Sequence, residues 1–135
     1  MANPQQEPLE AIAAAIKLAL PKCSIKTGEG ADLSDFMTEF AKTKPAAFVS
    51  YGGFEASSRY NDGRESGEGR EIYTAFFIAD KDIRSQIQAF REWLREDDND
   101  RFTDDTGAYC RICAERGAAI RYNSLPVFEL TISII

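Results

Sequence analysis

Leu9, Ile12, Ala13, Ile16 and Leu20 recur at helical spacing and draw one apolar stripe along the first stretch of the chain. Pro8 stands in the first turn, where a missing N–H costs nothing, the alanines between favour helix, and Pro21 ends it. Cys23-Ser24-Ile25-Lys26 predicts a short strand, followed by a turn at Gly28-Glu29-Gly30. A second helix is predicted from Leu33 to Lys42, with Asp32 as its cap, Leu33, Phe36, Met37 and Phe40 on one face, and Pro45 as its stop. Ala46-Ala47-Phe48-Val49-Ser50-Tyr51 reads as a buried strand closed by Gly52-Gly53.

Beyond a polar stretch from Glu55 to Arg70, strict alternation returns. Ile72, Thr74, Phe76 and Ile78 fall on one face, and Tyr73, Ala75 and Phe77 on the other, which predicts a central strand buried on both faces. Asp82 caps the strongest helical pattern, in which Ile83, Ile87, Phe90 and Leu94 face inward while Arg84, Gln88, Arg91 and Arg95 face water. This helix is expected to fray in Glu96-Asp97-Asp98-Asn99-Asp100, because acids oppose the dipole at a helix C-terminus. Tyr109 to Ala114 fits a strand or a short helix; Gly117 is read as turning the chain, and Ala118 to Tyr122 as a strand. In the last segment Phe128, Leu130, Ile132 and Ile134 point inward and Glu129, Thr131 and Ser133 outward. The expected core is Phe76, Phe77, Ile87, Phe90, Leu94, Leu130 and Ile132. The fold class is α+β: a largely antiparallel or mixed sheet packed by two to three helices, with a long polar hairpin or loop.

The length of 135 residues sets this out as one domain, residues 1–135, large enough to bury a core without staples. The formal charge of −6 argues against a general nucleic-acid binder. With no histidine, histidine-activated nucleophiles and histidine metal sites drop out. The N-terminus lacks the basic and apolar regions of a signal peptide, and the apolar run from Ala11 to Leu20 is too short for a membrane. The odd cysteine count, Cys23, Cys110 and Cys113, fits reduced thiols.

Cys110-Arg111-Ile112-Cys113 lacks a second pair for zinc and does not clearly open a helix as a redox motif would. On a strand its two sulfurs point to opposite faces, so both cysteines are read as structural thiols. Seven acids stand between Glu92 and Asp105, without the alternation, glycine turn and closing glutamate of a calcium loop. The set reads as a solvated, self-repelling surface, with docking of a basic partner as the other option. Gly28-x-Gly30 and the glycines from Gly63 to Gly69 match no phosphate loop, and Ser57-Ser58 has no base. An enzyme fits poorly, and no cofactor or metal is expected. The most informative feature is the stretch from Glu55 to Arg70, where Arg59, Tyr60, Arg64 and Arg70 sit among acids with few apolar groups. It is either a solvated excursion or an arm that orders on a neighbouring chain, with those four residues at the interface.

The order of elements resembles the small tail-terminator and neck proteins of tailed phages, of the Mu-like type. The resemblance rests on the amphipathic first helix ending near Pro21, the strand Pro45-Ala46-Ala47-Phe48-Val49-Ser50-Tyr51-Gly52-Gly53 and the polar excursion after it. It extends through the strand Ile72 to Ile78, the helix Asp82 to Arg95 and the closing strand Val127 to Ile135. It covers most of the chain as a pattern of elements and carries no catalytic fingerprint. It implies an α+β subunit that closes into a ring, a hexamer in that family. Such a ring caps the tail tube, meets the head-side connector and lets DNA pass as cargo. The partners would be further copies of the chain, tail-tube protein and sheath, in a virion assembled in the host cytoplasm, with no membrane. The rival from another class is a small monomeric binding or regulatory module of unidentified ligand, with the loop as its recognition element; a carboxylate-only enzyme is a minor third.

Overall fold

The computed structural model describes residues 6–29, 33–40, 44–56, 69–79, 82–122 and 125–135. Their elements run α1 (Pro8–Ala19), β1 (Ser24–Glu29), α2 (Leu33–Phe40), β2 (Ala46–Ala56), β3 (Gly69–Ile78), α3 (Ile83–Arg95), β4 (Arg101–Thr103), β5 (Tyr109–Tyr122) and β6 (Leu125–Ile134). The strands form one six-stranded sheet in the order β1-β2-β3-β6-β5-β4, with β1 parallel to β2 and every other pairing antiparallel. This is the expected α+β class with a mixed sheet, and β3 is central.

The period-2 alternation divides the side chains between two layers. On one face α1 lays Ile12 and Ile16, and α3 lays Ile87, Phe90 and Leu94, over Ala47, Val49, Ala75, Phe77, Leu130 and Ile132. Phe90 is fully buried and its ring stands 6.2 Å from that of Phe77. Asp82 holds the start of α3 by accepting from the Arg84 and Ser85 N–H groups at 3.1 and 3.3 Å, which satisfies two donors that the helix cannot. On the other face α2 sets Phe36 and Met37 on Ala46, Phe48, Ile78 and Val127, with the Phe36 and Phe48 rings 5.2 Å apart. The side chains of Leu33 and Phe40 and the cap Asp32 lie outside the described residues.

Six of the seven expected core residues are buried, and Phe76 is half-buried against the smaller cluster. Three local expectations are corrected. Gly28 and Glu29 continue β1 rather than turning, paired with Ser50 and Tyr51. The helix stops at Arg95, with Glu96 as its C-cap, so helical structure is lost where the acidic run begins; that run is a turn with Asp97 and Asp98 at positive φ. Asn99 closes it, its side-chain amide donating to the Trp93 carbonyl at 2.9 Å. Gly117 does not reverse the chain, because β5 passes through it as one strand with a bulge at Glu115. Glycine is needed there for a different reason: a Cβ would come within 2.3 Å of the Phe128 ring on β6. Ser133, expected outward, is fully buried.

Candidate functional site

β2 and β3 run on past their buried residues to exposed Phe54 and Glu55. The strands are held together out to the pair Ala56↔Gly69, so the polar stretch read as starting at Glu55 and ending at Arg70 begins and ends in strand. Arg59, Tyr60 and Arg64 lie outside the described residues. Arg70, the second residue of β3, stands opposite Glu55.

A bulge at Gly52 shapes this outer half. Gly53 has φ of +117°, which a side chain would strain, and nothing lies within 4 Å of where its Cβ would be. The requirement is therefore conformational. Before the bulge, Tyr51 leans edge-on against Tyr73 at 5.3 Å; after it, Phe54 stands 65% exposed. The Tyr51 hydroxyl donates to the Glu71 carboxylate.

On the α2 face of this half, polar side chains link four strands. Arg70 donates to Glu55 of β2 at 3.3 Å and to Glu115 of β5 at 2.7 Å. Glu115 is the extra residue of the β5 bulge, and it also accepts from the Ser133 hydroxyl of β6 at 2.6 Å. One guanidinium and one hydroxyl thus meet two carboxylates across β2, β3, β6 and β5. Ser133 is closed to a substrate, so this arrangement fixes strands rather than activating a nucleophile. Of the four residues expected at an interface, the one that is described spends its charge on its own chain. Sequence reading missed Glu115 and Ser133. The signal available was a serine set among buried positions of the closing strand.

The thiols sit in ordinary packing. Cys23 is buried, and loss of hydration pushes its thiol up to about 11, with Lys17 pulling modestly the other way. Burial also raises Cys110 and Cys113, and Asp104 adds to the rise at Cys110. The strand assignment puts Cys110 and Cys113 on opposite faces, as expected for a C-x-x-C in extended backbone. None of the three is poised as a thiolate at neutral pH.

The acidic run is more than a self-repelling surface. Asp98 pairs with Arg101 at 3.7 Å and Asp100 with Arg111 at 3.2 Å. Asp104 closes the turn into β5 by accepting from Thr106 and from the Ala108 N–H, and these bonds, that from the Thr106 hydroxyl foremost, hold its carboxyl below the usual range. Short-range partners explain why so many acids can share one turn. No helix among the described residues is long and apolar enough to cross a membrane.

The sequence matches no protein-family model and no curated protein. Function rests on the geometry above.

Proposed function

We propose that the protein is a structural subunit of the tail-terminator type, which assembles into a ring at the end of a phage tail tube and joins it to the head-side neck. The observation that carries this reading is the outer half of the β2–β3 hairpin. It shows Tyr51 and Phe54 to solvent and is braced across four strands by Arg70 and Glu115. A braced, aromatic-bearing projection suits contact with a neighbouring subunit, where aromatic groups give large contact area at low entropic cost. Heterologous contacts of this kind close into rings when the rotation between subunits permits. In this reading Arg59, Tyr60 and Arg64 reach the next subunit or the tube. The ring's outer face then offers no template for another tube ring, so elongation stops, and the acidic charge lets DNA pass without being held.

The test is mass in solution by light scattering, at rising concentration and then with tail-tube protein. The expected result is a ring, lost when residues 57–68 are replaced by a short Gly-Ser turn that leaves the subunit folded. Overlong or headless tails should accompany that loss. A loop-shortened protein that still caps tails of normal length would move the interface elsewhere. A chain that stays monomeric under all these conditions favours the monomeric binding module.

A further inference from the structure

We propose that the outer edge of β5 and the groove beside it under α3 form a docking site for an extended, carboxylate-rich segment of a partner protein, which adds to the sheet as a strand. The inference does not depend on ring assembly. Two observations meet here. The first is an open edge. β4 pairs with β5 only at residues 109–111, so among the described residues the outer side of β5 from 113 to 122 has no strand partner. Residues 115–119 are exposed, and Gly117, Ala118 and Ala119 leave the edge uncrowded. An unpaired edge presents a row of backbone donors and acceptors to any extended chain, and strand addition uses them directly.

The second observation is the chemistry of the adjoining groove, about 480 Å³ in volume. Its apolar lining is Ile83 and Ile87 from α3 with Ala119 and Phe128 from the sheet. Phe128 can lie low because Gly117 has no Cβ to obstruct its ring. The rim is cationic: Arg84, Arg91 and Arg95 stand along the exposed side of α3. Arg101 and Arg111 nearby are matched to Asp98 and Asp100, but Arg91 and Arg95 have no ion-pair partner among the described residues. Arg84 stands near the capping carboxylate of Asp82, where its charge helps the cap hydrogen bonds hold that carboxyl low. The one acid in the lining, Glu92, already accepts from Gln88 at 3.0 Å.

A protein of net charge −6 therefore concentrates unmatched guanidinium groups beside its open sheet edge. From Arg84 to Arg95 the helix rises about 16 Å at 1.5 Å per residue. That is about the length of five residues of strand. A strand on the β5 edge would turn alternate side chains toward α3. Apolar ones would enter the groove, and carboxylates would meet the arginine fork, whose geometry favours carboxylate. The net negative charge and the need for backbone pairing favour an acidic peptide over nucleic acid.

The probe is a fluorescein-labelled peptide of about eight residues, alternating valine and glutamate, the length of an ordinary strand. Its anisotropy is read against the full chain, beside the same peptide with lysine for glutamate and one with proline at alternate positions. The acidic peptide should bind, the other two should not, and amide exchange at residues 114–120 should slow on binding. The double variant Arg91→Gln, Arg95→Gln, exposed positions that leave the fold intact by circular dichroism, should weaken binding about tenfold. Failure of the acidic peptide to bind at millimolar concentration overturns the proposal. So does binding that ignores the arginines or leaves the β5 amides unprotected. Protection of those amides by self-association, without peptide, overturns it in favour of a second copy.

Discussion

The α2 face of the sheet has two halves built on the same strands by different means. In one, the pairs Ala46↔Ile78 and Phe48↔Phe76 lie under Phe36 and Met37. In the other, Ser50 faces Thr74, Ile72 faces Ser133, and Glu55, Arg70 and Glu115 take the place of a helix. Both register shifts in the sheet, at Gly52 and at Glu115, fall in this second half. The covered half gains its stability from apolar burial, which is non-directional and large. The open half gains little net energy from its polar contacts, but they are directional and fix which strand sits where. A bulge in a helix-covered half would turn apolar residues to water; in the open half it aims Glu115 across Ser133 toward Arg70 and leaves Phe54 outward. The division of labour follows: one half holds the domain folded, and the other is free to present a surface.

That apolar burial holds the domain folded is tested most severely at Phe90, on the α1–α3 face of the same strands. Its side chain is fully buried between α3 and the sheet, against Phe77. Phe90→Ala should cost about 3–5 kcal/mol by chemical denaturation. A variant that melts within a degree of the parent would show that apolar burial under the helices is not what holds the domain folded.

The covered half was the legible one. Helical and strand periods located α1, α3, β2, β3 and β6, and nearly all of the expected core is buried, because amphipathic spacing reports a face that must be hidden. The failures fall along β5 and its partner Ser133, and in the turn between α3 and β4. Gly117 looked like a turn because the pattern cannot tell a glycine required by φ from one required by a neighbouring ring; here it is the Phe128 ring. The bulge at Glu115 shifts the alternation of β5, so the period breaks in mid-strand and the reading split one strand in two. Ser133 looked outward because polarity stood in for exposure, whereas its partner Glu115 arrives from another strand eighteen positions away. The acidic run looked repulsive because its partners Arg101 and Arg111 become neighbours only after the turn forms. Of the residues expected at the interface, Arg70 is the one among the described residues, and it is turned to carboxylates of its own chain.

A smaller effect is expected at Glu115. Glu115→Ala removes the acceptor of the buried Ser133 hydroxyl and one of the two partners of Arg70. A buried hydroxyl left without a partner costs about 1–3 kcal/mol. The double variant Glu115→Ala, Ser133→Ala should recover part of the loss, since no buried donor is then stranded. If the double variant is as unstable as the sum of the two single ones, the Glu115–Ser133 bond is not what fixes this half of the sheet.

The smallest expected effect is the most discriminating for the polar tie. Arg70 and Glu115 are each about a third exposed, and Glu55 is more open. Water screens such pairs, so Arg70→Gln should cost only about 0.2–1 kcal/mol. Its signature is salt dependence. The parent should lose this increment as ionic strength rises and the screening length falls from about 8 Å to about 3 Å, while the variant should not. A double-mutant cycle between Arg70→Gln and Glu115→Gln isolates the pair from the burial of Ser133, because glutamine can still accept from the hydroxyl. Coupling that is measurable at low salt and fades at high salt places the charge pair on top of the hydrogen bond as a separate, weaker restraint. Coupling indistinguishable from zero at low salt would mean that the backbone ladder and the Glu115–Ser133 bond hold the hairpin base unaided. Arg70 would then be available to a neighbouring chain at almost no cost to its own fold.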